Sequence, residues 1–370
     1  MRLLTAVLVV AVFAGAASAQ DPIVVPGAHT YLDSVKFVGS PPVKQLVFET
    51  VDVTTIQEGI DLAYMLTNEH PLADSVNQGH VDVVELEPGV YDSVYMFGTP
   101  LGVRSAIARL KDGVTVRGMN RDDVVIKYSE ADYAVLAIDV GEDTVLENLT
   151  INGQVALRAR TSPGTGGAED DRVLNAGIGC FESASPVIRD VSIVGGGTGI
   201  ATRNDCSPTI EGVLVARSGH HGVYIRFTGA VPVTIDRCTF VDNFDYGIYV
   251  SSGSATVTNT CVTHCGKVGV YGYLSDVDIS YSNVYWNDRI SMNPMDIDGD
   301  VTVGAGMVSD EPYYCDFTGS QGYDYHVCTA SPNVGSGQGG VDIGAFGGAC
   351  DDCISPVEPM SWTGIKALYR

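Results

Sequence analysis

The chain has 370 residues, 45% of them hydrophobic, and a formal net charge of −24. That length can bury one large core. The acidity excludes nucleic acid and anionic membrane surfaces as partners, because like charges repel, and it weighs against a polyanionic substrate unless cations bridge the two.

The chain opens with one positive charge at Arg2, an apolar run to Phe13 and the small-residue stretch Ala17-Ser18-Ala19. This is the pattern of a secretory signal peptide, and it assigns residues 1–20 to a leader that is removed. The apolar run falls short of the roughly 20 residues a membrane span needs. No later stretch is long and apolar enough to span, so the expectation is a secreted or cell-surface protein with no transmembrane segment.

Val43–Val53 alternates in the manner of a first strand. Thr55-Ile56-Gln57-Glu58 then has the form of a capping box, and Ile56, Ile60, Ala63 and Leu66 share one helical face. A short helix is predicted at about 55–67. His80–Leu86, Gly113–Gly118 and Val124–Ile126 read as strands. Arg158–Arg172 is rich in Gly, Ser, Thr and Asp and interrupts the pattern. The step from Leu146 to Ile188 is 42 residues. It reads as two turns of a repeat, with 158–172 bulging from one of them.

Residues 177–288 repeat one pattern five times. Gly-[Ile/Val] recurs at Gly177, Gly199, Gly222, Gly247 and Gly269, with spacings of 22, 23, 25 and 22. An apolar trio trails each copy, as in Ile188/Val191/Ile193 and Ile235/Cys238/Phe240, and an earlier trio stands at Leu146/Leu149/Ile151. A fixed period in the low twenties marks a solenoid. The segments are short, alternating and separated by Gly, Asn, Asp and Ser, which excludes helical repeats. The fold expected is all-β: one single-stranded parallel β-helix over residues 21–288, with rungs about 4.8 Å apart. The helix at 55–67 would cover the exposed strand edges of the first turn. At the period seen, about nine or ten turns follow.

After Trp286 the repeat fades. Residues 289–353 read as an irregular C-terminal cap and 354–370 as a linker and tail. Nine cysteines suit an oxidising compartment, and the odd count leaves at least one thiol unpaired in a monomer. Cys180 and Cys238 fall on inward columns and Cys206 and Cys261 at turn or outward positions. Cys315 and Cys328 flank the polar loop Asp316–Val327 and form the expected disulfide. Cys350 and Cys353 could close a small loop of their own. A zinc site would need a second paired motif, which is missing.

The order Thr55-Ile56-Gln57-Glu58-Gly59-Ile60, Glu87-Pro88-Gly89-Val90-Tyr91 and Lys111-Asp112-Gly113-Val114-Thr115-Val116-Arg117-Gly118 resembles the opening of secreted proteins of the pectin-lyase-like superfamily. Ser185-Pro186-Val187-Ile188 and Cys206-Ser207-Pro208-Thr209-Ile210 resemble turn-to-strand wording in its bacterial members. The resemblance covers about residues 54–288 and implies a right-handed β-helix, the hand parallel crossovers generally take. The segments from Asp310 to Tyr313 and from Val341 to Gly347 resemble the end of bacterial β-helix proteins that carry C-terminal sorting or anchoring signals.

Alternation along the Gly-marked strand sends Ile178, Ile200, Val223, Ile248 and Val270 inward. Tyr224, Tyr249 and Tyr271 then form an outward ladder, with Arg203 and Arg226 stacked beside it. His220, Asp245 and Lys267 stand at the strand entrances. An aromatic and charged strip suits an extended glycan, because tyrosine rings present flat apolar faces to sugars and arginine forks onto carboxylates. The bland alternative is that the tyrosines simply pack on one another.

Gly219-His220-His221-Gly222 is similar to the Gly-His-Gly of polygalacturonase-like β-helix hydrolases, but the companion aspartate motifs are missing. Asp242 and Asp245 are the best candidate acid–base pair; solvated turn carboxylates are the plain alternative. In pectate-lyase-like enzymes an Arg or Lys acts as base and aspartates hold calcium. Arg226 and Lys267 could take the first role, and calcium is the one ion left open, although no aspartate cluster has the family's spacing. Asp296-Ile297-Asp298-Gly299-Asp300 departs from an EF-hand loop, having Val301 at position six and Met307 at position twelve. No metal ligand is assigned. The leading expectation is a monomer that binds an extracellular polysaccharide, with cleavage of it, as lyase or glycosidase, left open. The second is a non-catalytic adhesin or structural rod.

Overall fold

The computed structural model describes residues 23–25, 27–38, 43–65, 83–99, 102–153, 175–288, 295–317 and 323–351. The leader, the insertion at 158–172 and the tail at 354–370 lie outside them.

The chain is a parallel β-solenoid of about nine turns. Its rungs bend around three faces. The first carries the Gly-marked strands, from Gly102–Arg109 through Tyr133–Ile138, Ala176–Phe181, Thr198–Arg203, Val223–Arg226 and Ile248–Ser251 to the start of Val270–Ser280. The second runs from Val83–Leu86 through Val145–Glu147 and Val187–Arg189 to Ser254–Thr258. The third is an eight-stranded sheet from Gly89–Tyr91 to Asn283–Tyr285. The predicted column is the observed one: Ile178, Ile200, Val223, Ile248 and Val270 pair in sequence and are all buried in one continuous core. Each turn's strands bury only a stripe, so stability comes from stacking neighbours.

The insertion behaves differently from the expectation. Leu146 pairs directly with Ile188, and Ile151 with Ile193. The 42 residues therefore make one turn with a long excursion, not two. Loop-closure entropy rises slowly with length, so a solenoid tolerates this, and the coincidence with twice the period hid it.

The helix α1, Ile56–Tyr64, forms where predicted and ends slightly earlier. Thr55 Oγ1 accepts from the Glu58 N–H at 3.3 Å, while the Glu58 carboxylate accepts from the Thr54 N–H at 3.2 Å. Ile56, Ile60 and Ala63 join the core beside Val84 and Leu86, so α1 seals the first rungs. An antiparallel hairpin, Gly27–Val38 with Val43–Val53, precedes it.

Polar residues inside the solenoid are paired along its axis. Asn243 Oδ1 accepts from the Ser218 N–H at 3.0 Å and its Nδ2 donates to the Val215 carbonyl at 3.2 Å. Asn287 does the same for Cys265 and Val262. Thr260 and Ser282 hydroxyls accept from the N–H groups of Cys238 and Thr260 on the rungs before them. Corners repeat as well: Asn148, Asp190, Gly212, Arg237, Asn259 and Tyr281, one per turn, all have positive φ.

The segment after the last rung folds back along the third face. Tyr314, Tyr325, Val327 and Ile343 cover the outward side chains Leu214, Ala216, Val241 and Cys261. The Ala345 N–H reaches Thr239 Oγ1 at 2.9 Å, and the Gly344 N–H reaches the Asn259 carbonyl at 2.8 Å. The expected Cys315–Cys328 disulfide is corrected: Cys315 bonds Cys350, and Cys328 is engaged in another disulfide. Cys350 therefore does not close a loop with Cys353. Residues 314–316 and 348–350 both flank the central strand Asp324–Cys328, which brings the two ends of the segment together. Sequence distance alone favoured the nearer partner. Cys180 and Cys238 lie in the core as expected; Cys206 is there too, while Cys261 faces outward under Tyr314.

Candidate functional site

The outward side of the first face carries the predicted tyrosine ladder. Tyr224, Tyr249 and Tyr271 are in register. Ring centroids of Tyr224 and Tyr249 are 5.3 Å apart at 29°, and those of Tyr249 and Tyr271 are 5.5 Å apart. Exposure departs from expectation: Tyr224 is 1% exposed and Tyr249 9%. Two residues cause part of this: His221, noted in the sequence only within the Gly219–Gly222 stretch, and Tyr246, which the sequence pattern does not single out. His221 stacks on Tyr224 at 5.4 Å, and Tyr246 wedges between Tyr249 and Tyr271 at 5.1 and 5.3 Å. The ladder is thus packed mainly on itself. Tyr246 and Tyr271 are half-buried, and Tyr273 is 50% exposed.

Below Tyr224 the column holds Ala201 and Gly179. Tyr133 and Phe181 fill that space edge to face, 5.8 Å apart. A Cβ on Gly179 would lie 2.8 Å from the Phe181 ring and 2.9 Å from that of Tyr133. The two small residues in an otherwise aromatic column were the sequence signal for these rings.

His220, Asp245 and Lys267 meet as their shared place in the repeat required. The Asp245 N–H donates to the His220 carbonyl and the Lys267 N–H to the Asp245 carbonyl, both at 2.8 Å. The Asp245 carboxylate lies 2.7 Å from Lys267 Nζ and 3.5 Å from His220 Nδ1. Burial works against its charge, but the hydrogen bonds from His220 and Lys267, with the charges of His221 and Lys267, prevail and hold the carboxyl well below the usual carboxylate range. The Lys267 side chain is 38% exposed and that of His220 26%. Lys267 Nζ also sits 5.2 Å over the Tyr246 ring.

Asp242 and Asp245, the expected acid–base pair, engage different partners. Asp242 acts electrostatically on Tyr325 of the C-terminal segment, whereas Asp245 faces the tyrosines. Asn243 turns into the core between them. Arg203 and Arg226 are in register, followed by Ser251 and Tyr273, and the Arg226 guanidinium lies 4.7 Å over Phe227. This arginine column stands at the strand exits and the Lys267 column at the entrances, six residues away and so about 15–20 Å across the face. Among the described residues no group of three or more His, Cys, Asp or Glu is placed to hold a metal ion, and Asp296 accepts from the Asn287 amide at 2.9 Å.

These registers define a right-handed parallel β-helix protein with an aromatic strip between two charged margins. The family described as the right handed beta helix region matches residues 112–285. Among solved structures, the chain is similar to the A-module of mannuronan C-5 epimerase AlgE4 from Azotobacter vinelandii, at 19% identity and a TM-score of 0.35, over 67% of this chain and 76% of that one. It is also similar to the AlgE6 A-module from the same organism, at 16% and 0.35, over 70% and 94%. Pectate lyase Pel9A gives 14% and 0.40, over 75% and 90%. No curated protein matches the sequence. No helix among the described residues is long and apolar enough to cross a membrane.

Proposed function

We propose that the protein is a secreted or surface-attached polysaccharide-active β-helix, whose first face binds an extended glycan and cleaves it at the His220–Asp245–Lys267 column. The observation that carries this reading is Asp245: buried, charged, clamped between two bases, and bordered by tyrosine rings. Strongly perturbed carboxyls with specific partners in such settings are recurrent marks of functional sites. Held ionised, Asp245 is no proton donor. It orients Lys267 and His220, whose exposed ends face the chain-binding surface and can exchange protons with a substrate. Tyr246, Tyr271 and Tyr273 present the accessible ring surface for sugars. Arg203 and Arg226 form the far margin and are placed to hold a carboxylate of the glycan.

The test is to incubate the mature protein with uronate and neutral glycans, with and without calcium. A lyase gives both an unsaturated, absorbing product and new reducing ends; a hydrolase gives only the second. Lys267→Ala is expected to lower kcat by about 10²–10⁴-fold, and Tyr271→Ala to raise KM with kcat largely kept. Absence of product and of retention on every glycan overturns the reading. A second reading, a non-catalytic adhesin or rod, is favoured by one observation: Tyr224 and Tyr249 are covered, as tyrosines that serve only packing would be. It predicts that neither signal appears.

A further inference from the structure

A cleft of about 620 Å³ lies away from the aromatic strip, where the second face turns into the third. One wall is the solenoid. Glu85, Arg117, Glu147, Arg189 and Glu211 occupy the same position on successive rungs and alternate in sign. Arg189 pairs with Glu147, and Arg237 with Glu211. The other wall is the C-terminal segment, with Asp342 and Ala345 facing the gap. That wall is fixed. Ile343 is buried, the Ala345 N–H is bonded to Thr239, and Phe346 is held between the Arg121 guanidinium at 4.2 Å and the His326 ring at 4.6 Å.

We propose that this cleft is a second carbohydrate site, built for a short stretch of a neutral, hydroxyl-rich glycan. Charge selects the class. Glu147, Asp190, Glu211 and Asp342 line it against only Arg189 and Arg237, so a uronate or phosphate meets a surplus of like charge. An apolar ligand would strip water from these groups and return no hydrogen bonds. A divalent cation is poorly served: Glu147 and Glu211 are already held by arginines, and among the described residues no three acidic, His or Cys groups converge to hold one. A sugar hydroxyl satisfies both kinds of lining at once, donating to a carboxylate and accepting from a guanidinium. The lining spans four rungs, a length of about 14 Å at the inter-rung spacing, which suits a linear oligosaccharide lying along the solenoid axis. The site is independent of any reaction at the tyrosine strip.

The experiment is isothermal titration of the whole protein with cellotetraose, xylotetraose, mannotetraose and tetragalacturonate. Two variants leave both arginine pairs intact: Asp342→Ala removes an acceptor and Ala345→Trp fills the gap. At least one neutral tetrasaccharide is expected to bind, and each variant to weaken it by about tenfold or more, the scale of a lost charged hydrogen bond, with the fold kept by circular dichroism; Asp342→Ala also releases the Gly335 N–H, so a small fall in its Tm is expected. Should Ala345→Trp fail to fold, Asp342→Ala carries the comparison alone. The proposal is overturned if no neutral tetrasaccharide binds or if the variants bind as the parent does. It is also overturned if Lys267→Ala abolishes binding while Asp342→Ala does not. That last result would move the glycan to the aromatic strip and support the function proposed there.

Discussion

A carboxylate that is buried and still charged must be compensated by its neighbours, and Asp245 is compensated from the rungs on both sides. Its folded pKa lies below the ordinary 3.8, so its stabilising effect is present above that pH and is lost as pH falls below it. Asp245→Asn should therefore be less stable than the parent near neutrality, with the difference shrinking toward about pH 3; thermal melts across that range test it. Asn243 makes a complementary case. Replacing it with Ala leaves the Ser218 N–H and the Val215 carbonyl unpaired inside the solenoid, and the expected loss in urea denaturation is about 2–4 kcal/mol. Residue-scale features were unevenly legible. The registers of the tyrosine ladder and of the His220–Asp245–Lys267 column follow from period and alternation alone. Burial of Tyr224 and Tyr249 does not, because His221 reaches Tyr224 and Tyr246 reaches Tyr249 from the corner between faces, where the alternation rule has no force.

Among the elements, the C-terminal segment has the most telling chemistry. Glu311 sits beneath it, 3.7 Å from buried His264. Burial, assisted by the charge of Asp310 and opposed by a hydrogen bond to the Tyr313 backbone, lifts its pKa from 4.5 to about 7. A raised carboxyl keeps a proton that the unfolded chain has lost, so this group costs stability progressively as pH rises from 4.5 to about 7. Glu311→Gln should raise Tm at about pH 8 and leave it unchanged at about pH 4; equal shifts at both would show that the residue acts by shape alone. The helix α1 was readable because capping is local chemistry, confined to Thr54, Thr55 and Glu58. The docking of the last segment was not. It depends on Leu214, Ala216 and Val241 being outward yet apolar, and sequence alternation does not say what covers an outward residue. The same blindness to tertiary partners gave Cys315 the wrong sulfur.

At the scale of the molecule, rungs interact mainly with their neighbours. Ile126→Ala and Ile279→Ala lie in the core many turns apart. Each should cost about 2–5 kcal/mol, and the double variant should equal their sum within about 0.5 kcal/mol. If unfolding is not a single transition, the two substitutions will instead move different phases, as expected for a quasi-one-dimensional stack. Architecture was the most legible level because a repeat states its contacts several times over. The turn count near the insertion was the exception, since 42 residues fit one padded turn or two plain ones equally well.

The sulfur atoms impose an order of events on the making of this protein. Cys180, Cys206, Cys238 and Cys261 are sealed away as thiols, and burial pushes Cys206 and Cys261 up to about 11 and Cys238 to about 12. Once the coil has closed they are chemically silent, since thiolate is the reactive form. Before closure they are ordinary nucleophiles competing with Cys315 and Cys350 for the same oxidant. Coiling must therefore outrun oxidation. Material renatured in reductant and aerated afterwards should come out with the Cys315–Cys350 bond formed and the interior thiols reduced, while material renatured in air should be scrambled through the sulfurs its interior was meant to hide.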